Sequence, residues 1–415
     1  MSVSVPGNAG GVASVGGRVA LKVAGTILTS WTSMRTARDL KEISGSFELE
    51  YLDSARAQAA SAIVIGGDAG FSKIAAGMEI SLLIDSEPVL VGYIDDLDLE
   101  WDGGKLMRAR IVGRDKTGYL VDCNAAPNGP AEFRNLNLLQ IAQKICEPFG
   151  IPVRADVDIG APFERLANNP HETALAILEK AARQRTVLLV SDGIGGLLLT
   201  RGGNSRAPSA LRVGELVQHV RYHDSWRGRF SDIYVKGQTD GHRKRGAAAA
   251  TQDHSVAPFA PGTPPPLPKT SEASTVLMTG HARDPEITRY RPHVRLTRSQ
   301  SGMSSTQEQA EWAVRVARGM GQNLIFTVLD WRAGTDNALW RPNQLAAIYE
   351  PYSGIDKDML IAGVSYSLGP DGLKTELRLV GPTAFDRINE AERRRHQSRG
   401  EHRKLDSSVH DFRAN

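Results

Sequence analysis

WDGGKLMRARIVG at 101–113 and GPDGLKTELRLVG at 369–381 are two versions of one pattern. In register, Gly104 matches Gly372, Arg110 matches Arg378, Val112 matches Val380 and Gly113 matches Gly381, while Ile111 and Leu379 are conservative partners. Each copy has an alternating strand, a glycine turn and a second alternating strand, the sequence form of a β-hairpin. The doubling matters for assembly: a chain with two similar β modules lets an oligomer of n subunits present 2n similar units. A trimer would present six.

Outward from these hairpins the pattern stays β. GSFELEYL at 45–52 sets Phe47, Leu49 and Tyr51 on one face, and Met78, Ile80, Leu82 and Ile84 alternate in the same way. The DSEP turn at 85–88 leads into a strand through Val89–Trp101. Further strands are expected at Leu324–Trp331, Gln344–Glu350, Met359–Leu368 and Lys374–Val380.

Between the β stretches the periodicity changes. Leu138, Ile141, Ala142, Ile145 and Cys146 fall at helical spacing, closed by Pro148 and Gly150. A second helix is expected from Asn169 as N-cap, with Pro170 at its first helical position and Ala174, Leu178, Ala181, Ala182 and Arg185 along its length. TVLLV, the turn SDGIGG and LLLTR follow as a hairpin. Ser305 with Glu308 resembles a capping box, opening a helix whose Ala310, Ala313, Val314, Ala317 and Met320 share a face.

The expected fold class is α+β and multi-domain: two similar antiparallel β-barrel-like modules with an α+β domain between them. Residues 1–17 form a flexible N-terminal arm, 18–118 the first module and 119–205 the α+β domain. The second module spans 206–385, interrupted by a Pro/Ala-rich linker at 237–274. A charged tail occupies 386–415.

The chain of 415 residues has room for two to four domains. Its 50 basic and 47 acidic residues leave a net charge of +3, too even for a general nucleic-acid binder. Cys123 and Cys146, its two cysteines, imply no disulfide framework, and a reducing compartment is the simpler reading. The N-terminus has neither a charged n-region nor an apolar h-region, and no apolar run reaches membrane-spanning length.

Candidate chemistry is sparse. His219 and His223 in QHVRYHD would share a helical face suited to zinc, but the surrounding alternation reads at least as well as a strand, and no further ligands stand nearby. The acidic run Asp95, Asp96, Asp98 and Glu100 has the residue types of paired catalytic carboxylates or a hard-cation site. Strand alternation instead puts Asp96, Asp98 and Glu100 on one face and Leu97, Leu99 and Trp101 on the other. That acidic face would line a lumen or lie on an outer solvated surface. No GxSxG, HExxH, P-loop or Rossmann pattern occurs, GGDAG at 66–70 and GIGG at 193–196 read as turns, and HRKR at 242–245 as a solvated charge run. The reading is of no catalytic, cofactor-binding or metal-ligating residues and no cofactor.

The segment LWRPNQLAAIYEPYSGIDKDMLIAGVSYSLGPDGLKTELRLVGPTAFD at 339–386 resembles the C-terminal signature of the phage Mu-type baseplate hub proteins. WTSMRTARDLKEISGSFELEY at 31–51, VGYIDD at 91–96, VGRDKTGYLVDCNA at 112–125, IAQKICEPFGIPV at 141–153 and RYRPHV at 289–294 resemble the same family. The resemblance covers most of residues 18–386 and extends, more distantly, to the hub domains of other contractile tails and of type VI secretion spikes. The departure from it is the expanded linker at 237–274.

The resemblance implies a structural homotrimer, a ring at the tip of a contractile tail that adapts the six-fold tail tube to the three-fold central spike. Its implied partners are the tail tube protein, the central spike protein and other baseplate proteins. DNA or a tape-measure protein would pass transiently through the lumen, and no stable membrane anchor is implied. The implied location is the virion tail baseplate, with the host cytoplasm during assembly. Two readings of other classes remain: a tail-associated cell-wall-degrading enzyme, which a zymogram on cell walls would reveal, and a nucleic-acid-binding protein, which salt-dependent retention on DNA would reveal.

Overall fold

The computed structural model describes residues 18–29, 31–53, 74–102, 106–125, 129–130, 132–169, 171–239, 276–296, 306–334 and 337–386. The arm at 1–17, GGDAG, Pro170, HRKR and nearly all of the linker and tail lie outside the described residues. Two units are present, one of residues 1–228 with 315–415 and one of residues 229–314.

The first unit opens with seven strands: β1 (Val19–Val23), β2 (Thr26–Leu28), β3 (Ser33–Asp39), β4 (Ser46–Asp53), β5 (Glu79–Ile84), β6 (Glu87–Asp102) and β7 (Leu106–Asp115). Their alternation is the expected one, with Phe47, Leu49, Tyr51, Ile80, Leu82 and Ile84 all buried. Asp85 and Ser86 both take positive φ (49° and 70°), the backbone of a tight hairpin turn between β5 and β6.

Helices α1 (Gly118–Asp122), α2 (Leu138–Cys146) and α3 (Ala174–Gln184) follow, with short strands β8 (Glu132–Phe133), β9 (Val153–Ala155), β10 (Leu166–Ala167), β11 (Leu188–Ser191) and β12 (Leu197–Thr200). Asn137 and Gln140 close a capping box on α2, and Gly150 ends the short 3-10 turn after it with φ 65°. The N-cap of α3 is Thr173, whose hydroxyl accepts from the Ala176 N–H at 3.2 Å, and not Asn169. Asn169 instead accepts the Glu172 N–H through its carbonyl in a preceding turn. Proline as a residue type suits a turn as well as a helix start, so spacing alone misplaced the cap. The apolar faces of α2 and α3 meet in one cluster with Leu189, Leu197 and Leu199 of the antiparallel β11–β12 hairpin.

The chain then returns to strands: β13 (Ser205–Arg206), β14 (Leu211–Arg212) and β15 (Val217–Asp224). After the second unit come β19 (Gln322–Leu329), β20 (Arg332–Ala333), β21 (Ala338–Leu339), β22 (Gln344–Glu350), β23 (Ile355–Gly369) and β24 (Gly372–Val380). The second unit is a three-stranded sheet, ordered β17 (Val276–Arg283), β16 (Asp232–Thr239), β18 (Pro292–Leu296), with helix α4 (Thr306–Gly321) starting inside it. Ala310, Ala313 and Val314 of α4 pack on Ile233 and Val235 of β16. Ser305, the expected cap of α4, lies outside the described residues, and Glu308 occupies its first turn.

Two barrel-like modules were expected, and the described residues form no closed barrel. Strands from both modules, though not β16–β18 or β20–β21, join one 14-stranded sheet whose main path runs β15-β19-β24-β23-β3-β4-β7-β6-β5-β1-β2. The joint is β3, with Thr36 opposite Phe47 of β4 on one side and opposite Tyr366 of β23 on the other. One apolar cluster runs through both halves, from Val19 and Leu21 to Leu377 and Leu379. Alternation reports which face of a strand is buried but not which strand lies beside it, so a shared sheet and two separate ones look alike in sequence. Among the described residues strand also outweighs helix, 49% against 16%, so the fold is mostly β with few helices.

The doubled pattern does form two antiparallel hairpins, β6–β7 and β23–β24, each with a bulge in its first strand. Their turns differ. Asp102 pairs with Leu106, enclosing residues 103–105, whereas Gly369 pairs with Gly372, enclosing Pro370 and Asp371. Gly372 therefore begins a strand, and Gly104 lies outside the described residues. The other matched glycines are required by close approach: a Cβ on Gly113 would stand 2.1 Å from the Tyr93 carbonyl oxygen, and one on Gly381 2.8 Å from Gly319 Cα.

Candidate functional site

The acidic stripe is on the face that alternation assigned to it, with Asp96, Asp98 and Glu100 exposed and Leu97 and Leu99 packed on the core. It is not a bare acidic wall. Across the strand pair Asp98 faces Arg110 at 3.4 Å and Glu100 faces Arg108 at 3.5 Å, while Asp95 holds Arg114 at 2.7 Å. Arg110 also reaches Glu48 of β4 at 2.6 Å. Acidic β6, basic β7 and acidic β4 thus form alternating rows, which sequence order hid because the rows come from different strands.

His219 and His223 lie on β15, a strand, opposite Thr327 and Asn323 of β19. Four residues along a strand span about 13 Å, too far for both rings to ligate one ion. Among the described residues no group of three or more His, Cys, Asp or Glu side chains is placed to hold a metal. Cys146 is buried between the helices, and burial pushes its thiol up to about 12.

A buried polar network lies where the β sheet meets the α-helical portion. Asp115, at the end of β7, is 2% exposed. One carboxylate oxygen accepts from the Gly45 N–H at 2.8 Å and the Ser191 hydroxyl at 2.7 Å. The other accepts from the Thr117 N–H at 3.0 Å, the Ser44 hydroxyl at 3.2 Å and the Thr117 hydroxyl. This supplies the hydrogen bonds a buried charge needs, and it ties three separate stretches of chain to one side chain. The Ser191 carbonyl in turn accepts from Arg38 of β3 at 2.6 Å. Gly193, at φ 81°, lies directly under that guanidinium, and a Cβ there would stand 2.6 Å from its nitrogen. The GIGG turn is therefore the seat for Arg38.

A second network joins the two β halves. Asp85 binds Arg18 at 2.6 Å and Arg332 at 3.0 Å, and Arg18 also binds Asp330 at 3.0 Å. Glu87 binds Arg332 at 3.1 Å and Arg341 at 2.9 Å. The two guanidiniums hold the Asp85 carboxyl below its ordinary range. Sequence reading singled out none of Asp115, Arg38, Ser191, Arg332 or Glu87 as site residues, since they carry no common spacing. All of these but Arg332, and Arg341 as well, lie in stretches notable for other reasons: Asp115 in VGRDK, Arg38 in MRTARD, Ser191 in SDGIGG, Glu87 in DSEP and Arg341 in LWRPN.

The fold is that of phage tail proteins. The structure is similar to the 43 kDa tail protein of prophage MuSo2 from Shewanella oneidensis, with TM-score 0.71 and 29% identity over 89% of this chain and 99% of that one. It is also similar in fold to the tail protein from Neisseria meningitidis MC58, with TM-score 0.68 and 19% identity over 89% of this chain and 97% of that one. Residues 18–115 match the family described as Mu phage baseplate assembly protein GpP-like, N-terminal. Residues 117–201 match baseplate hub protein gp44-like, second domain, and residues 302–388 match Mu phage baseplate assembly protein GpP, fourth domain. The chain is a homologue of the baseplate hub protein gp44 of Escherichia phage Mu, 28% identical over 400 residues that cover 95% of this chain and 96% of that one.

Proposed function

We propose that three copies of the chain form the baseplate hub of a contractile phage tail or tail-like particle, a ring adapting the six-fold tail tube to the three-fold central spike. The observation that carries this reading is the relationship to the Mu baseplate hub along nearly the whole length of both chains. The doubled hairpin supports it, since two similar modules per subunit give a trimer six. The division proposed for the chain is a first β module at 18–118, an α+β domain at 119–205 and a second β module at 206–385. In this role the protein is structural and not an enzyme, it resides in the virion tail after assembly in the host cytoplasm, and it contacts the tube, the spike and other baseplate proteins. No helix among the described residues is long and apolar enough to cross a membrane.

The rows of paired charge on β4, β7 and β6 suit a lumen through which DNA or a tape-measure protein passes, because ion pairing leaves few free cations to hold phosphate. Native mass measurement of the purified chain, alone and with its spike protein, tests the assembly. A three-chain species is expected, and a monomer under both conditions would refute the reading. A cell-wall zymogram should stay blank.

A further inference from the structure

A cavity of about 300 Å³ opens beside the Asp115 network, walled by β3, the start of β6, the 192–194 turn, residues 339–342 and β23. Three guanidiniums line it: Arg38, Arg154 and Arg341. Two carboxylates line it as well, and both are already engaged. Glu87 is held by Arg332 and Arg341, while Asp192 is held by Arg154 at 2.8 Å and accepts from the N–H groups of Ile194 and Gly196.

Arg38 differs from the other two. Its hydrogen bond goes to a carbonyl, and it forms no ion pair among the described residues. Burial lowers its pKa, with Asp115 acting against that shift as the leading nearby charge. A guanidinium that is withdrawn from water, faces a cavity and is itself unpaired with a carboxylate is matched best by a planar oxyanion, which can take two parallel N–H bonds. Trp340, also in the wall, buries its indole N–H without a hydrogen-bond partner.

We propose that this cavity binds a monoanionic carboxylate carried on a small apolar body. The lining groups, three guanidiniums and two carboxylates, sum to one positive charge, which a single carboxylate neutralises and a dianion such as phosphate would overshoot. Pro88, Val89, Ile194 and Trp340 supply apolar wall. The volume is at the lower end of small-molecule sites, enough for one compact acid and too small for a strand of nucleic acid. This site is separate from the proposed ring assembly and stands or falls without it.

The test is a ligand-observed NMR titration of the full chain with sodium benzoate, with benzamide as the uncharged probe of the same shape and inorganic phosphate as competitor. Saturable benzoate binding on the order of millimolar is expected, with none for benzamide. Arg154 is largely exposed at the mouth, so R154Q should leave the melting temperature unchanged and weaken benzoate about fivefold. R38Q should weaken it about tenfold or more, and R154Q keeps the test decisive where R38Q fails to fold. Equal binding of benzamide, phosphate displacing benzoate at lower concentration, undiminished affinity in R154Q, or no saturable benzoate binding would each overturn the proposal.

Discussion

Replacing Asp115 should disconnect the α-helical portion from the sheet. In Asp115→Ala the two backbone N–H groups of Gly45 and Thr117 lose their acceptor while remaining buried, as do the hydroxyls of Thr117 and Ser191. Each orphaned buried donor costs about 1–3 kcal/mol, and hydroxyls recover part of that by turning to another acceptor. Two backbone donors at the middle of that range give about 4 kcal/mol, near the top of what single substitutions do. Asp115→Asn keeps the shape but puts an NH₂ where one set of donors needs an acceptor, so about half that loss is expected. Urea unfolding followed by circular dichroism measures the loss, and amide hydrogen exchange at Gly45 and Thr117 shows whether it arises at this carboxylate. A loss below about 1 kcal/mol for Asp115→Ala, or unchanged exchange at both amides, would refute the reasoning.

Asp85 is stabilised as an anion by Arg18 and Arg332, so its folded pKa is depressed; its contribution is complete above the unfolded value near 3.9 and is lost as pH falls through the lower folded value. Asp85→Asn should therefore cost about 1 kcal/mol at pH 7 and progressively less as the pH falls below about 3.9, measured by urea melts across the acid range. Ellman's reagent at pH 8 should titrate Cys123 in the native chain and reach Cys146, whose burial pushes its thiol up to about 12, only in guanidinium. Gly113→Ala should cost about 3 kcal/mol or more, read as a fall in melting temperature, because its Cβ would collide with the Tyr93 carbonyl and the Phe47 ring. Thr239 and Val276 are direct register partners, so an Asn-Gly turn in place of residues 240–275 should leave stability within about 1 kcal/mol of the parent; a larger loss would show that the excised stretch contributes to the fold.

Sequence by itself determined what depends on neighbours in the chain. Alternation fixed the buried face of β4 and β5, and helical spacing fixed the apolar face of α2, whose Asn137–Gln140 capping box came to light only in the structure. The paired hairpins and the resemblance around LWRPN pointed to a baseplate hub, a reading the comparisons support. Tertiary structure decided everything that depends on distant partners. Only the pairing of β3 with both β4 and β23 turned two expected barrels into one sheet. The acidic stripe became a paired ladder only when β7 lay beside β6. Asp115, Arg38 and Ser191 became one network only when Gly45, Thr117 and the 191–193 turn closed around them. The physical reason is common to all three: periodicity encodes which side of an element avoids water, whereas hydrogen bonds and ion pairs between elements depend on distances that sequence order does not contain.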